Sequence, residues 1–142
     1  MAANTPPRAR FFFEQNVVWL YTNDLDRLAG FYRDVIGLPL VLDQGECRVF
    51  QASPTGFLGI CDKPGRPRGT QGMMFTFLVD DVEAAYAHFK QRGVAFDGPP
   101  DMSDGRNVHS CFFKDPEGYW LEIQEFSDPR WPYPPGRGPR RR

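Results

Sequence analysis

Histidine and cysteine, the residues that most often build zinc, iron and thiol chemistry, are scarce here: two histidines and three cysteines in 142 residues. The cysteines, Cys47, Cys61 and Cys111, are odd in number, far apart and without a Cys-x-x-Cys pair. That pattern argues against a disulfide framework and against a structural zinc site. Each reads as a small buried hydrophobe in a reducing cytosol, so the expected location is cytoplasmic. Two histidines are too few to argue a Ser-His-Asp or Cys-His arrangement. Gly-rich phosphate loops are missing, and the GRPRG run from Gly65 to Gly69 reads as a linker. No apolar run approaches the ~18 residues of a membrane span. The start, Met1 to Arg10, has prolines and arginines where a signal peptide would have an apolar core, so export is not expected.

The net charge of −1 hides an asymmetry, because the residues from Ser127 onward hold five arginines and one aspartate. The preceding body is therefore acidic, which is unlike a nucleic-acid surface. The tail, PRWPYPPGRGPRRR, is too rich in Pro, Gly and Arg to build a core and is expected to be extended or disordered.

What the sequence does contain is one unit written twice. NVVWLYTNDLDRLAGFYRDVIGLPLVL reads as strand, cap, helix, glycine stop and strand. Residues 17–22 are β-branched and aromatic. Asn23 or Asp24 can accept from the free amides of a helix start. Leu25, Leu28, Phe31, Tyr32, Val35 and Ile36 then form one apolar stripe, and Gly37 ends it. MMFTFLVDDVEAAYAHFKQRGVAF repeats the pattern, with Asp24 matching Asp81, Tyr32 matching Phe89 and Gly37 matching Gly93. FQASPTGF (50–57) lines up with FFKDPEGY (112–119), and each carries a Pro–Gly turn, Ser53 to Gly56 and Asp115 to Gly118. Each half is therefore β-α-β-β-β. The fold class is α+β: two such modules forming a curved, mostly antiparallel eight-stranded sheet whose concave face is a cleft. The expected boundaries are an N-terminal arm at 1–14, a domain at 15–126 with modules at about 15–64 and 72–126, and the tail at 127–142.

The paired units and the closing run DPEGYWLEI resemble the vicinal oxygen chelate superfamily of glyoxalases, bleomycin resistance proteins and extradiol dioxygenases. The resemblance covers roughly residues 15–126, and its most specific pieces are DLDRLAGFYRDVIGL and FFKDPEGYWLEI. It implies a cleft to which each module offers two metal ligands, one on its first strand and one on its last, usually His or Gln and then Glu. Spacing from the capping aspartates puts the first-strand positions at Val17 and Met74. The last-strand position of the second half is Glu122, and the repeat places its counterpart four residues after Gly56, at Ile60. Val and Ile have no donor atom, and a thioether suits Cu(I) better than Zn, Ni, Mn or Fe(II). One carboxylate alone would hold such an ion weakly. The expectation is therefore no metal and no other cofactor.

Glu122 remains as the candidate catalytic residue: a carboxylate among apolar neighbours would be partly desolvated, suited to proton transfer or to binding a cation. Regular alternation turns Trp19, Tyr21, Thr76, Leu78, Phe112 and Trp120 to the same side as Val17, Ile60 and Met74, giving an aromatic pocket of the kind small molecules occupy. His88 falls on a helix flank. His109 faces outward by the family's geometry, although regular pairing around a four-residue loop would turn it to Glu122. Arg48 and Arg106 are candidates to meet an anion, and the loop at 97–107 to cover the cleft mouth. The resulting expectation is a homodimer that binds a small organic molecule without a metal, as drug-sequestering members of the superfamily do, with no nucleic-acid or membrane partner. The alternatives are a lyase or isomerase of the glyoxalase type using Glu122, and a non-catalytic structural dimer. The Phe11-Phe-Phe13 cluster also calls for burial in a partner.

Overall fold

The computed structural model describes residues 13–67, 69–103 and 107–139. In the first module β1 (Asn16–Tyr21) leads to α1 (Leu25–Gly30), which continues as a π-helical segment over Phe31–Ile36, then β2 (Leu40–Asp43), β3 (Cys47–Gln51) and β4 (Gly56–Cys61). The second module follows the same plan: β5 (Met74–Leu78), α2 (Val82–Gln91), β6 (Asp101–Ser103), β7 (Val108–Lys114) and β8 (Trp120–Phe126). The helix boundaries have local causes. Asp24 accepts from the Arg27 amide and Asp81 from the Ala84 amide, both at 3.1 Å, satisfying donors that a helix start leaves free. Gly37 and Gly93 sit at φ 85° and 92°, the left-handed region that stops a helix at little cost in glycine.

The eight strands divide into two four-stranded sheets, in the orders β1-β4-β3-β2 and β5-β8-β7-β6. Each is mixed, with its first and last strands parallel and the rest antiparallel. One face of each sheet packs against helix. Leu20, Phe50, Leu58 and Ile60 do so in the first module, and Cys111, Phe113, Leu121 and Ile123 in the second, within one core that spans both. Burial of these side chains contributes about 1.5–3 kcal/mol each.

Polar contacts fasten the modules together. The Tyr32 hydroxyl donates to Asp115 at 2.7 Å inside the core, and the Thr22 hydroxyl donates to Glu117 at 2.6 Å. Arg92, just past α2, donates to the carbonyls of Asp34 (2.7 Å) and Val35 (2.9 Å), which the first helix leaves open at its end. Burial, with the Asp115 charge beside it, raises the Tyr32 phenol far above its ordinary range, so it stays the donor. Burial also pushes the Asp115 carboxyl up, against the hydrogen bonds from Tyr32 and three backbone amides that pull it down.

Three sequence expectations are corrected. Cys47 and Cys61 are direct cross-strand partners on β3 and β4, 4.1 Å apart at Cα, and form a disulfide, which leaves Cys111 as the free, buried thiol. The odd count concealed this because only pairing two strands brings positions so far apart in sequence face to face. The tail at 127–139 lacks regular secondary structure, as its composition suggests, yet it folds back onto the second module. Trp131 stacks on Phe126 with ring centroids 4.0 Å apart, the Tyr133 hydroxyl lies 2.9 Å from the Phe126 carbonyl, and Arg137 approaches Asp80 at 3.7 Å. Replacing Trp131 by Ala should cost on the order of 1 kcal/mol, and thermal melting checks it; an unchanged Tm would mean that the tail contributes nothing.

The third correction concerns Ile60. Paired with Leu20 and Arg48, it points into the helix-packed core and is wholly buried, on the opposite side from Val17. The cause lies in the turns. The Ala52 amide bonds the Gly56 carbonyl, whereas the Asp115 amide bonds the Tyr119 carbonyl. Ala52 therefore stands where Asp115 does, and the two prolines are out of step by one residue. Asp115 must open its loop because its carboxylate accepts the amides of Glu117, Gly118 and Tyr119. In the first loop Ser53, one residue further in, does a lesser version of the same job for Gly56. The register settles the equivalence: Trp19 pairs with Gly59 as Thr76 pairs with Glu122. Gly59, not Ile60, is the counterpart of Glu122.

Candidate functional site

The faces of the two sheets that do not meet helix carry the candidate site residues. On the first sheet these are Val17, Trp19 and Tyr21 of β1, with Phe57 and Gly59 of β4 and Val49 of β3 on the same side. On the second they are Met74, Thr76 and Leu78 of β5, Trp120, Glu122 and Gln124 of β8, and Ser110 and Phe112 of β7. The resemblance put Val17, Met74 and Glu122 on these faces, and strand alternation added Trp19, Tyr21, Thr76, Leu78, Phe112 and Trp120. The repeat alignment misplaced Ile60. Gln124 was missed, although its parity with Glu122 carries the signal. Asp101 was missed because residues 101–103 looked like loop, whereas they add β6 to the sheet edge.

Apolar exposure on these faces is high: Val17 40%, Trp19 41%, Met74 50%, Leu78 48% and Trp120 36%. The Lys114 ammonium lies 4.6 Å from the Trp120 ring centroid, a cation–π contact at the face's border. Glu122 differs sharply from its surroundings and is only 6% exposed. Its Oε1 accepts from the Thr76 hydroxyl at 2.8 Å, and its Oε2 is 3.4 Å from the Gln124 amide nitrogen. A depression of about 300 Å³ lined by Asp101, Met102, Ser110, Phe112, Glu122 and Gln124 opens over it. That volume is at the lower end for small-molecule sites.

The other candidates point elsewhere. His109 faces the helix side, as the family's geometry implied, with Nε2 3.4 Å from Glu83. His88 is exposed, with its ring edge-on to Phe89. Arg48 is held by Asp26 at 2.7 Å on the helix side, which removes it as an anion receptor on the free face. Arg106 and part of the loop at 97–107 lie outside the described residues, as do Phe11 and Phe12; Phe13 is exposed.

Corrected for register, the four metal positions read Val17, Gly59, Met74 and Glu122. This set offers one hard donor, a carboxylate, and does not fit the Zn, Ni, Mn or Fe(II) centre that the resemblance implies. Among the described residues no group of three or more His, Cys, Asp or Glu is placed to hold a metal. No helix among them is long and apolar enough to cross a membrane.

Comparison with known proteins agrees with this architecture. A lactoylglutathione lyase of Schizosaccharomyces pombe is 38% identical over 52 residues, which is 37% of this chain and 17% of that protein. A glyoxalase/bleomycin resistance protein/dioxygenase from Nocardioides superposes with a TM-score of 0.69 at 21% identity, over 90% of this chain and 91% of that one, a likeness of fold. TnmS3, an antibiotic binding protein from Streptomyces sp. CB03234, gives a TM-score of 0.65 at 26% identity, over 80% of this chain and 95% of that one. The family model of the Glyoxalase/Bleomycin resistance protein/Dioxygenase superfamily matches residues 14–123. With that match spanning most of its length, and with two βαβββ modules in its fold, this chain belongs to the Glyoxalase/Bleomycin resistance protein/Dioxygenase superfamily.

Proposed function

We propose that this protein binds a small organic molecule on the free faces of its sheets, without a metal and as a homodimer. The observation that carries the reading is the composition of the four positions. An aliphatic side chain, a glycine and a thioether accompany one carboxylate, on faces lined by Trp19, Tyr21, Phe112 and Trp120. Similarity to an antibiotic binding protein supports the same class of ligand. The dimer is supported by the exposed edge strand β2, away from that face, where Leu40, Val41 and Leu42 are 41–48% exposed. Surfaces of that kind mark interaction sites in proteins that stay in solution.

Glu122 favours one second reading, a lyase or isomerase of the glyoxalase type. It is buried, one oxygen is fixed by Thr76, and it lines the depression over the second sheet. Local similarity to a lactoylglutathione lyase points the same way. In that role Glu122 would take a proton from a substrate carbon beside a carbonyl and return it to the neighbouring atom, with Thr76 fixing the carboxylate's orientation.

These readings separate by experiment. Elemental analysis of purified protein should find less than about 0.1 metal ion per chain, and a stoichiometric Ni, Zn, Mn or Fe would sink the metal-free proposal. A thermal-shift screen of antibiotics, hydrophobic cations and thioester metabolites should give ligands, about 2.7 kcal/mol of stabilisation at a hundred times Kd. Glu122→Gln should keep affinity for neutral ligands if the protein only binds. A turnover that this variant lowers by about 10²–10⁴-fold would instead establish the enzyme. No ligand in the screen, with a stable dimer by sedimentation, would favour a structural role.

A further inference from the structure

Gly59 lies mid-strand in β4, hydrogen-bonded between β1 and β3, and its φ is not in the left-handed region. Backbone conformation therefore does not require a glycine here, and a strand interior ordinarily disfavours one. Space does require it. A Cβ built on Gly59 would penetrate Cε3 and Cζ3 of Trp19 and come within 2.8 Å of Cδ2. The distances to these three contiguous atoms put that carbon above the face of the six-membered ring rather than beyond its edge. The indole thus lies face-down on the β4 backbone. Trp19 stays 41% exposed although the ring is seated on the sheet, so its exposure falls to the side turned away from Gly59.

The position gives this seat a meaning. Gly59 is the register counterpart of Glu122, so the point where the second module presents a carboxylate is, in the first, a bare backbone tiled by an aromatic ring. We infer that Trp19 on Gly59 is a stacking platform that selects ligands carrying a flat, fused aromatic ring system. This deepens the small-molecule reading proposed above and rests on it. A ring laid flat on backbone is held from below and cannot fold around a globular group. Offset stacking is the contact such a surface makes best. Val17 and Tyr21 flank the indole along β1 on the same face and bound the platform at both ends.

The test compares two monocationic amines of similar apolar bulk, 9-aminoacridine, which is planar, and 1-adamantylamine, which is a cage. Isothermal titration of the intact protein should show the planar amine binding at least 10-fold more tightly. Trp19→Ala should lose at least 10-fold for the planar amine with less than a 2-fold change for the cage, and Trp19→Phe should recover part of the loss. Gly59→Ala should copy Trp19→Ala by lifting the indole; Trp19→Ala removes a half-exposed ring, so it remains informative if Gly59→Ala does not fold. Equal affinity for both amines, or planar binding unaffected by Trp19→Ala, would overturn the platform while leaving small-molecule binding in place. Binding of neither amine, with screen hits confined to non-planar compounds, would also overturn the platform alone. Binding of neither and an empty screen would overturn both.

Discussion

Replacing Ile60 by glutamate should unfold the protein, not furnish its free face with a second carboxylate. A repeat alignment through the Pro–Gly turns makes position 60 the mate of Glu122, and by that logic Ile60→Glu rebuilds half of a metal site. The observed register says otherwise. Ile60 is wholly buried among Leu20, Leu58 and Phe50, facing helix. Arg48, its cross-strand partner, already binds Asp26. An unpaired carboxylate there would cost more than about 5 kcal/mol, comparable to the whole stability of a domain of this size. Ile60→Val, which keeps shape and removes one methyl group, should cost about 1 kcal/mol. Circular dichroism and urea denaturation read both. A soluble Ile60→Glu protein with an unchanged midpoint would show that position 60 faces solvent, and would refute the register.

The second large effect is expected at the contact between Tyr32 and Asp115. This carboxylate serves four donors, the Tyr32 hydroxyl at 2.7 Å and three backbone amides at 2.9–3.0 Å. Asp115→Ala removes the acceptor that all four donors share at a buried place, so the cost should be about 3–4 kcal/mol, with Tm lower by roughly 10 °C. Tyr32→Phe leaves the three amides satisfied and should cost about 1–2 kcal/mol. In the Asp115→Ala background the Tyr32 substitution should add little, because the hydroxyl has already lost its acceptor. A double-mutant cycle measures that coupling. Strict additivity would mean that the hydrogen bond contributes nothing to joining the modules.

Both predictions turn on where a residue sits relative to one turn, and there sequence and structure part. Alternation and helical spacing identified two helices, their aspartate caps and glycine stops, because each is set by neighbours within a few residues. The free-face residues of β1 and β5 followed, since each strand runs directly into its capped helix and its parity is counted from a fixed point. The strands after the hairpins had no such anchor. SPTG and DPEG look equivalent, yet Asp115 closes its own loop with three amides and Ser53 closes a loop one residue out of step. A one-residue slip reverses every side chain of the strand that follows. That is how Ile60 passed into the core and Gly59 came out beneath Trp19.

By itself, then, the sequence determined the βαβββ repeat, the family and the presence of one carboxylate among apolar side chains at the positions where the family keeps its ligands. Only the tertiary structure decided which residue completes that set, because strand register is a property of paired chains and not of either strand alone. Tertiary structure likewise decided the bond between Cys47 and Cys61 and the packing of Trp131 on Phe126. Both contacts depend on how the chain turns back on itself, which the separation of the partners along the chain does not specify.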